Sequence, residues 1–187
     1  MKNQSLSSPN LAVSTPLAQG ITLGLLGGLA GTVVMDLVLV GLFSATGLPK
    51  DLTFSFIGET AAIFFARMGV PVPGGVPLGL VIHYLIGPAL GALFGAAVSQ
   101  VHSLRRNGPA RGSLLGILYI EIISQPILVT APLLRAMTRS ETLQWFGLSF
   151  FMHLICGAVL GLVVSYGVKA AAQNQISSKD TEALGLQ

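Results

Sequence analysis

Charge is what this sequence has least of. Lysine, arginine, aspartate and glutamate together make up 9% of the 187 residues, whereas soluble domains carry about a quarter. With 52% hydrophobic residues and a mean hydropathy of +0.76, the composition is that of an integral membrane protein. Cysteine is nearly absent: Cys156 stands alone, so an intramolecular disulfide is excluded. The net charge of +3 is small and scattered, which offers nucleic acid no basic face. No nucleophile–base pair, phosphate-binding glycine loop or dinucleotide fingerprint is present. A soluble-type enzyme therefore has no support, and the expected partner is the lipid bilayer.

What the chain does have is long apolar runs. Residues 1–19 are polar, rich in Ser, Thr, Pro and Asn, and read as a disordered tail. The run from Gly20 to Phe43 exceeds the roughly 7–15 residues of a signal-peptide core and reads as a retained span with one charge, Asp36. Further spans are expected over about 78–98, 112–131 (interrupted by Pro126) and 145–167, followed by a polar tail over 169–187. Each is near the ~20 residues that cross a bilayer. In the loop before the last span, Thr138-x-x-Glu141 has the form of a capping box, and Trp145 stands where interfacial aromatics are favoured.

Residues 53–68 differ. Phe54, Ile57, Ala61, Phe64, Phe65 and Met68 recur at helical spacing while Glu59 and Arg67 point elsewhere. Sixteen residues give about 24 Å of helix, short for a 30 Å core, so an interfacial amphipathic helix is expected. The stretch GVPVPGGVP, 69–77, then breaks regular structure.

Four spans put both termini on one side, with Lys2, Arg105, Arg106, Arg111, Lys169 and Lys179. The other side carries Lys50, Arg67, Arg135 and Arg139. The excess places the termini in the cytoplasm and the interfacial helix on the outer face.

Glycine supplies the pattern. His83-x3-Gly87-x3-Gly91-x3-Gly95 returns 70 residues later as His153-x3-Gly157-x3-Gly161. A step of four advances a helix by only about 40°, so each histidine shares the glycine face. Small residues at that spacing let helices approach closely, within the bundle or between protomers of a homo-oligomer or larger membrane complex. The preceding spans carry Gly27-x3-Gly31-x4-Asp36 and Gly112-x3-Gly116-x4-Glu121. Each half thus reads as an acid helix followed by a histidine helix, a duplicated hairpin of the parallel-repeat kind. The fold class is all-α: four transmembrane helices plus the interfacial helix.

By residue count Asp36, His83, Glu121 and His153 fall within about one or two turns of a common level in the outer half of the bilayer. Thr32, Gln125 and Ser149 lie one turn from members of this set, and Pro88 and Pro126 free carbonyls near it. An ionisable group in a span is a functional candidate by default. In the bland reading the four are protonated or paired and lock helices together. In the sharper one, two carboxylates and two imidazoles hold a divalent metal or relay protons. In another, His83 and His153 ligate a haem b, with glycines making room for the ring.

The runs GLAGTVVMD, VIHYLIGPALGALFG, GSLLGILYIEIISQPIL and FFMHLICGAVLGLVV, spread over about residues 20–167, together resemble small bacterial inner-membrane proteins of the uncharacterised YagU-like kind. The resemblance implies an inner-membrane location and about four spans, and it brings no activity or catalytic residues. The function expected from the residues is a non-enzymatic accessory or structural membrane component with an ion- or proton-binding layer. A single-haem electron carrier and a small transporter are the alternatives.

Overall fold

The computed structural model describes residues 16–101 and 108–184. Among these the chain forms five helices: α1 (Pro16–Thr46), α2 (Leu52–Arg67), α3 (Val76–Gln100), α4 (Pro109–Arg135) and α5 (Arg139–Leu184). Local chemistry marks their ends. Pro77 and Pro109 sit in first turns, where a missing N–H costs nothing. Gly47 and Gly69 close α1 and α2 at φ 72° and 83°, a conformation glycine adopts without penalty. Behind Gly69, Val70 N–H returns to Phe65 O at 2.9 Å and Gly69 N–H to Ala66 O at 3.0 Å, the paired bonds of a Schellman end. The capping box is present: Glu141 Oε2 accepts from Thr138 N–H at 2.8 Å, and Thr138 Oγ1 accepts from Glu141 N–H at 3.3 Å.

Four of these helices, α1, α3, α4 and α5 over 139–171, are long and apolar enough to cross a membrane. Their outer faces carry large uncovered side chains, including Leu37, Leu85, Ile122 and Leu133 at 67–71% exposure. Such a surface suits lipid, and the fold is compatible with a multi-pass membrane protein. α4 runs unbroken through Pro126 and Pro132, where an interruption was expected. The expected N-terminal tail lies mainly outside the described residues, and α1 begins at Pro16. The polar C-terminal stretch continues α5 as helix to Leu184.

Glycine files set the packing. Gly20, Gly24 and Gly28 of α1 lie against the backbone of Gly95, Gly91 and Gly87 of α3, so closely that a Cβ at any of the three α1 positions, or at Gly91 or Gly95, would meet main-chain atoms, and one at Gly87 the Thr32 side chain. Gly112 and Gly116 of α4 meet Gly161 and Gly157 of α5 in the same way. A second face of α1, Gly27 and Gly31, rests on Leu160 and Cys156 of α5 and joins the two helix pairs. All these glycines are therefore spent inside the protomer. One cluster of the core gathers Phe94, Val98, Ile120, Leu160 and Val164; another gathers Met35, Leu39, Phe43, Met152 and Cys156.

α2 packs on α3 and, less extensively, on α4. Its closest approach to α3 is made by glycine rather than by the phenylalanine stripe. Gly58 meets Gly75 and Gly79 backbone, and Gly58 and Thr60 are the buried positions, whereas Phe64 and Met68 are 45% and 65% exposed. A residue without a side chain allows a closer helix crossing than a row of rings does, and that closeness decides the face.

Candidate functional site

The α1 file continues past its glycines at the same spacing, Gly20, Gly24, Gly28, Thr32, Asp36, and α3 answers with Gly95, Gly91, Gly87, His83. At the end of this ladder His83 Nε2 lies 3.0 Å from Asp36 Oδ1. Their side chains are only 15% and 9% exposed. Asp36 Oδ2 is buried without a hydrogen-bond partner, and the Tyr84 hydroxyl stands near the same carboxylate. The rings of Phe54 and Tyr84 meet the imidazole edge-on at 5.6 and 5.7 Å.

The second ladder runs Gly112, Gly116, Ile120, Ser124 on α4 against Ser165, Gly161, Gly157, His153 on α5. Its end pair is His153 Nδ1 and Ser124 Oγ, 3.0 Å apart. Glu121 is not opposite His153. It lies about one turn earlier, lines no part of the central cavity, and keeps Oε1 buried without a partner. Gly27 and Gly31, which by spacing match Gly112 and Gly116, face α5 instead. Aligning the files that actually meet a histidine helix sets Gly24 and Gly28 beside Gly112 and Gly116, and Asp36 beside Ser124. Uniform four-residue spacing was the available signal for Ser124. Gln125 is exposed and bonds its own helix at Glu121 O, 3.0 Å away.

Between the two ladders lies a cavity of about 190 Å³, lined by all five helices. His83 and His153 both face it, together with the hydroxyls of Thr32, Ser124 and Ser149. The remaining wall is mainly aliphatic. α2 closes one side with Thr53 and Ile57, and Trp145 closes the same end from α5. Trp145 is held from two directions. Its ring lies 4.6 Å from that of Phe56, and its Nε1–H donates to Leu128 O at 3.0 Å. That carbonyl would ordinarily bond residue 132, which is proline and has no N–H; the indole takes the missing donor's place. Arg135 fastens α2 at the same point, 3.0 Å from Glu59 Oε2 and 4.4 Å above the Phe56 ring.

The geometry divides the expected chemistry. Asp36 joins His83, and Ser124 joins His153. Among the described residues no group of three or more His, Cys, Asp or Glu side chains is close enough to hold a metal ion, so the four-residue metal set is not assembled. Nε2 of His83, the nitrogen a haem's axial bond would need, lies instead 3.0 Å from Asp36 Oδ1. The cavity is also smaller than the ~300–1,000 Å³ of sites for drug-sized ligands. What the site retains is two imidazoles facing one cavity, one of them paired with an acid behind it, groups that can bind and release protons.

No protein-family model, curated protein or solved structure matches the chain.

Proposed function

We propose that this chain is a multi-pass protein of the bacterial inner membrane with cytoplasmic termini, a non-enzymatic accessory component whose centre binds protons. The carrying observation is the Asp36–His83 contact, 3.0 Å across the α1–α3 interface at low exposure. An acid at mid-membrane costs about 2.5–3.5 kcal/mol on insertion scales. An interhelical hydrogen bond in a membrane returns about 0.6 kcal/mol on average. Packing alone is a poor reason to place a carboxylate there, and proton binding is a better one.

The two ladders support an internal duplication, in which α1–α3 and α4–α5 are copies of one hairpin. The first copy holds the acid–histidine pair, and the second holds a serine–histidine pair at the matching position. The composition and the YagU-like resemblance support the inner-membrane location, and the basic residues near the span ends support the orientation, with α2 at the outer interface. Association with further copies or a larger complex would use exposed aliphatic faces such as that of Leu118 and Ile122, because the glycine files are occupied. A small transporter is the second reading, favoured by a cavity at the bundle centre that both histidines face.

The test is infrared difference spectroscopy of purified protein in micelles across about pH 5–8, where imidazoles ordinarily change charge. Proton uptake is expected to appear as coupled carboxyl and imidazole bands that vanish in Asp36→Asn. Identical spectra for wild type and Asp36→Asn would remove the proposal.

A further inference from the structure

The central cavity has a size and a lining that specify a ligand beyond the proton. An apolar cavity of about 150 Å³ is known to hold one benzene ring, and this one, at about 190 Å³, holds a ring with small substituents. Its wall is mostly aliphatic, supplied by residues such as Ile82, Ile86 and Leu90 of α3 and Ile127 and Leu128 of α4. The polar atoms are few and come from opposite sides: His83 from α3, His153 and Ser149 from α5, Thr32 from α1 and Ser124 from α4. A pocket of this make-up binds an apolar body and orients it by a small number of hydrogen bonds. Each imidazole has one nitrogen engaged, Nε2 of His83 with Asp36 and Nδ1 of His153 with Ser124, which leaves the other nitrogen of each ring for a ligand.

Access points to the same class. α3 and α4 are joined at Tyr119, whose hydroxyl donates to Leu90 O at 2.8 Å and whose ring lies 5.1 Å from that of Phe94. Nearer the histidines, α2 rather than direct α3–α4 contact closes the wall. A molecule that reaches the cavity from the bilayer must be neutral to be dissolved there.

We propose that the cavity between the two ladders binds a neutral, ring-sized molecule bearing a hydrogen-bonding oxygen, of the kind found in phenols and in the head groups of lipid-soluble quinones. The inference rests on the membrane reading and is independent of proton uptake at Asp36. No bond is made or broken; the site is a binding site.

Trp145, the chain's one tryptophan, lines the cavity and reports its occupancy. The experiment titrates the full-length protein in micelles with tetramethylbenzoquinone, an absorbing quencher with no free ring position for the Cys156 thiol to add to. 4-Ethylphenol or toluene is then added as a competitor. Saturable quenching of Trp145 is expected, reversed by 4-ethylphenol at concentrations a few-fold to about tenfold lower than toluene requires, the worth of one hydrogen bond. Ser149→Leu, which fills the cavity, and His153→Phe, which removes a polar anchor, are expected to weaken quenching at least tenfold. Whichever oxygen-bearing probe binds more tightly separates the quinone from the phenol class. Quenching that rises linearly, or that is unchanged in both variants, would mean partition into the micelle and overturn the proposal. Equal competition by toluene would overturn the oxygen-bearing ligand. If neither variant folds, the wild-type protein decides: quenching that 4-ethylphenol fails to reverse overturns the site.

Discussion

His83 Nε2 and Asp36 Oδ1, 3.0 Å apart, form a side-chain bridge that ends the glycine ladder between α3 and α1. Removing one partner strands the other in a low-dielectric interior, which costs more than the contact contributes. His83→Ala is therefore expected to destabilise by about 1–3 kcal/mol in thermal unfolding in detergent. Asp36→Asn, which keeps an acceptor for the imidazole, is expected to cost less. The Asp36→Leu/His83→Leu double variant is expected to be less destabilised than the sum of its singles; strict additivity would show that the two do not interact.

The glycine files make a position-specific prediction. A methyl group at Gly91 meets the backbone of Gly24 and Gly28, whereas one at Gly41 meets nothing within 4 Å. Gly91→Ala is expected to cost about 1–3 kcal/mol by forcing the helices apart. Gly41→Ala is expected to be neutral or to stabilise by up to about 1 kcal/mol through helix propensity. Thermal melts of the two variants side by side check both.

Trp145 and Pro132 are coupled through Leu128 O. Trp145→Phe deletes the donor and is expected to cost about 1 kcal/mol or more. Pro132→Ala restores a backbone N–H to the same carbonyl. In the double variant the loss from Trp145→Phe is expected to shrink, and a double-mutant cycle with no coupling would show that the indole bond is incidental.

Arg135 holds α2 by charge and by its position over Phe56. The ion pair alone is half in solvent at Glu59, 50% exposed, so Glu59→Gln is expected to change stability by less than about 1 kcal/mol. Arg135→Ala also loses the contact with the ring, worth about 0.5–1 kcal/mol at exposed sites. Amides of α2 are expected to exchange several-fold faster in Arg135→Ala, with little change in α1.

The number, order and approximate bounds of the helices were legible in the sequence because span length and hydropathy are local properties. The histidine files were legible too, since four-residue glycine spacing directly encodes a helix face. The partner of each histidine was only half legible. Asp36 was found, but α1 carries two glycine files, Gly20–Gly24–Gly28 and Gly27–Gly31, and only three-dimensional packing decides which one meets α3. Choosing the wrong file moved the match on α4 from Ser124 to Glu121. The role of Trp145 was hidden for a similar reason: Pro132 and Trp145 are linked by a carbonyl that neither side chain reveals. The point where α2 comes closest to α3, Gly58, was not legible, because hydropathy does not mark the residue with least bulk.

The two glycine files of α1 also fix that helix from two directions. Towards α3, backbone lies on backbone, and tilting one helix drives main-chain atoms together. Across the seam to α5 the approach is nearly as close: a Cβ at Gly31 would meet the Cys156 carbonyl and one at Gly27 the Leu160 carbonyl, besides both side chains. α1 therefore acts as a wedge with no slack on either flank, and the spacing between the histidine helices it separates is set by the thickness of a bare backbone.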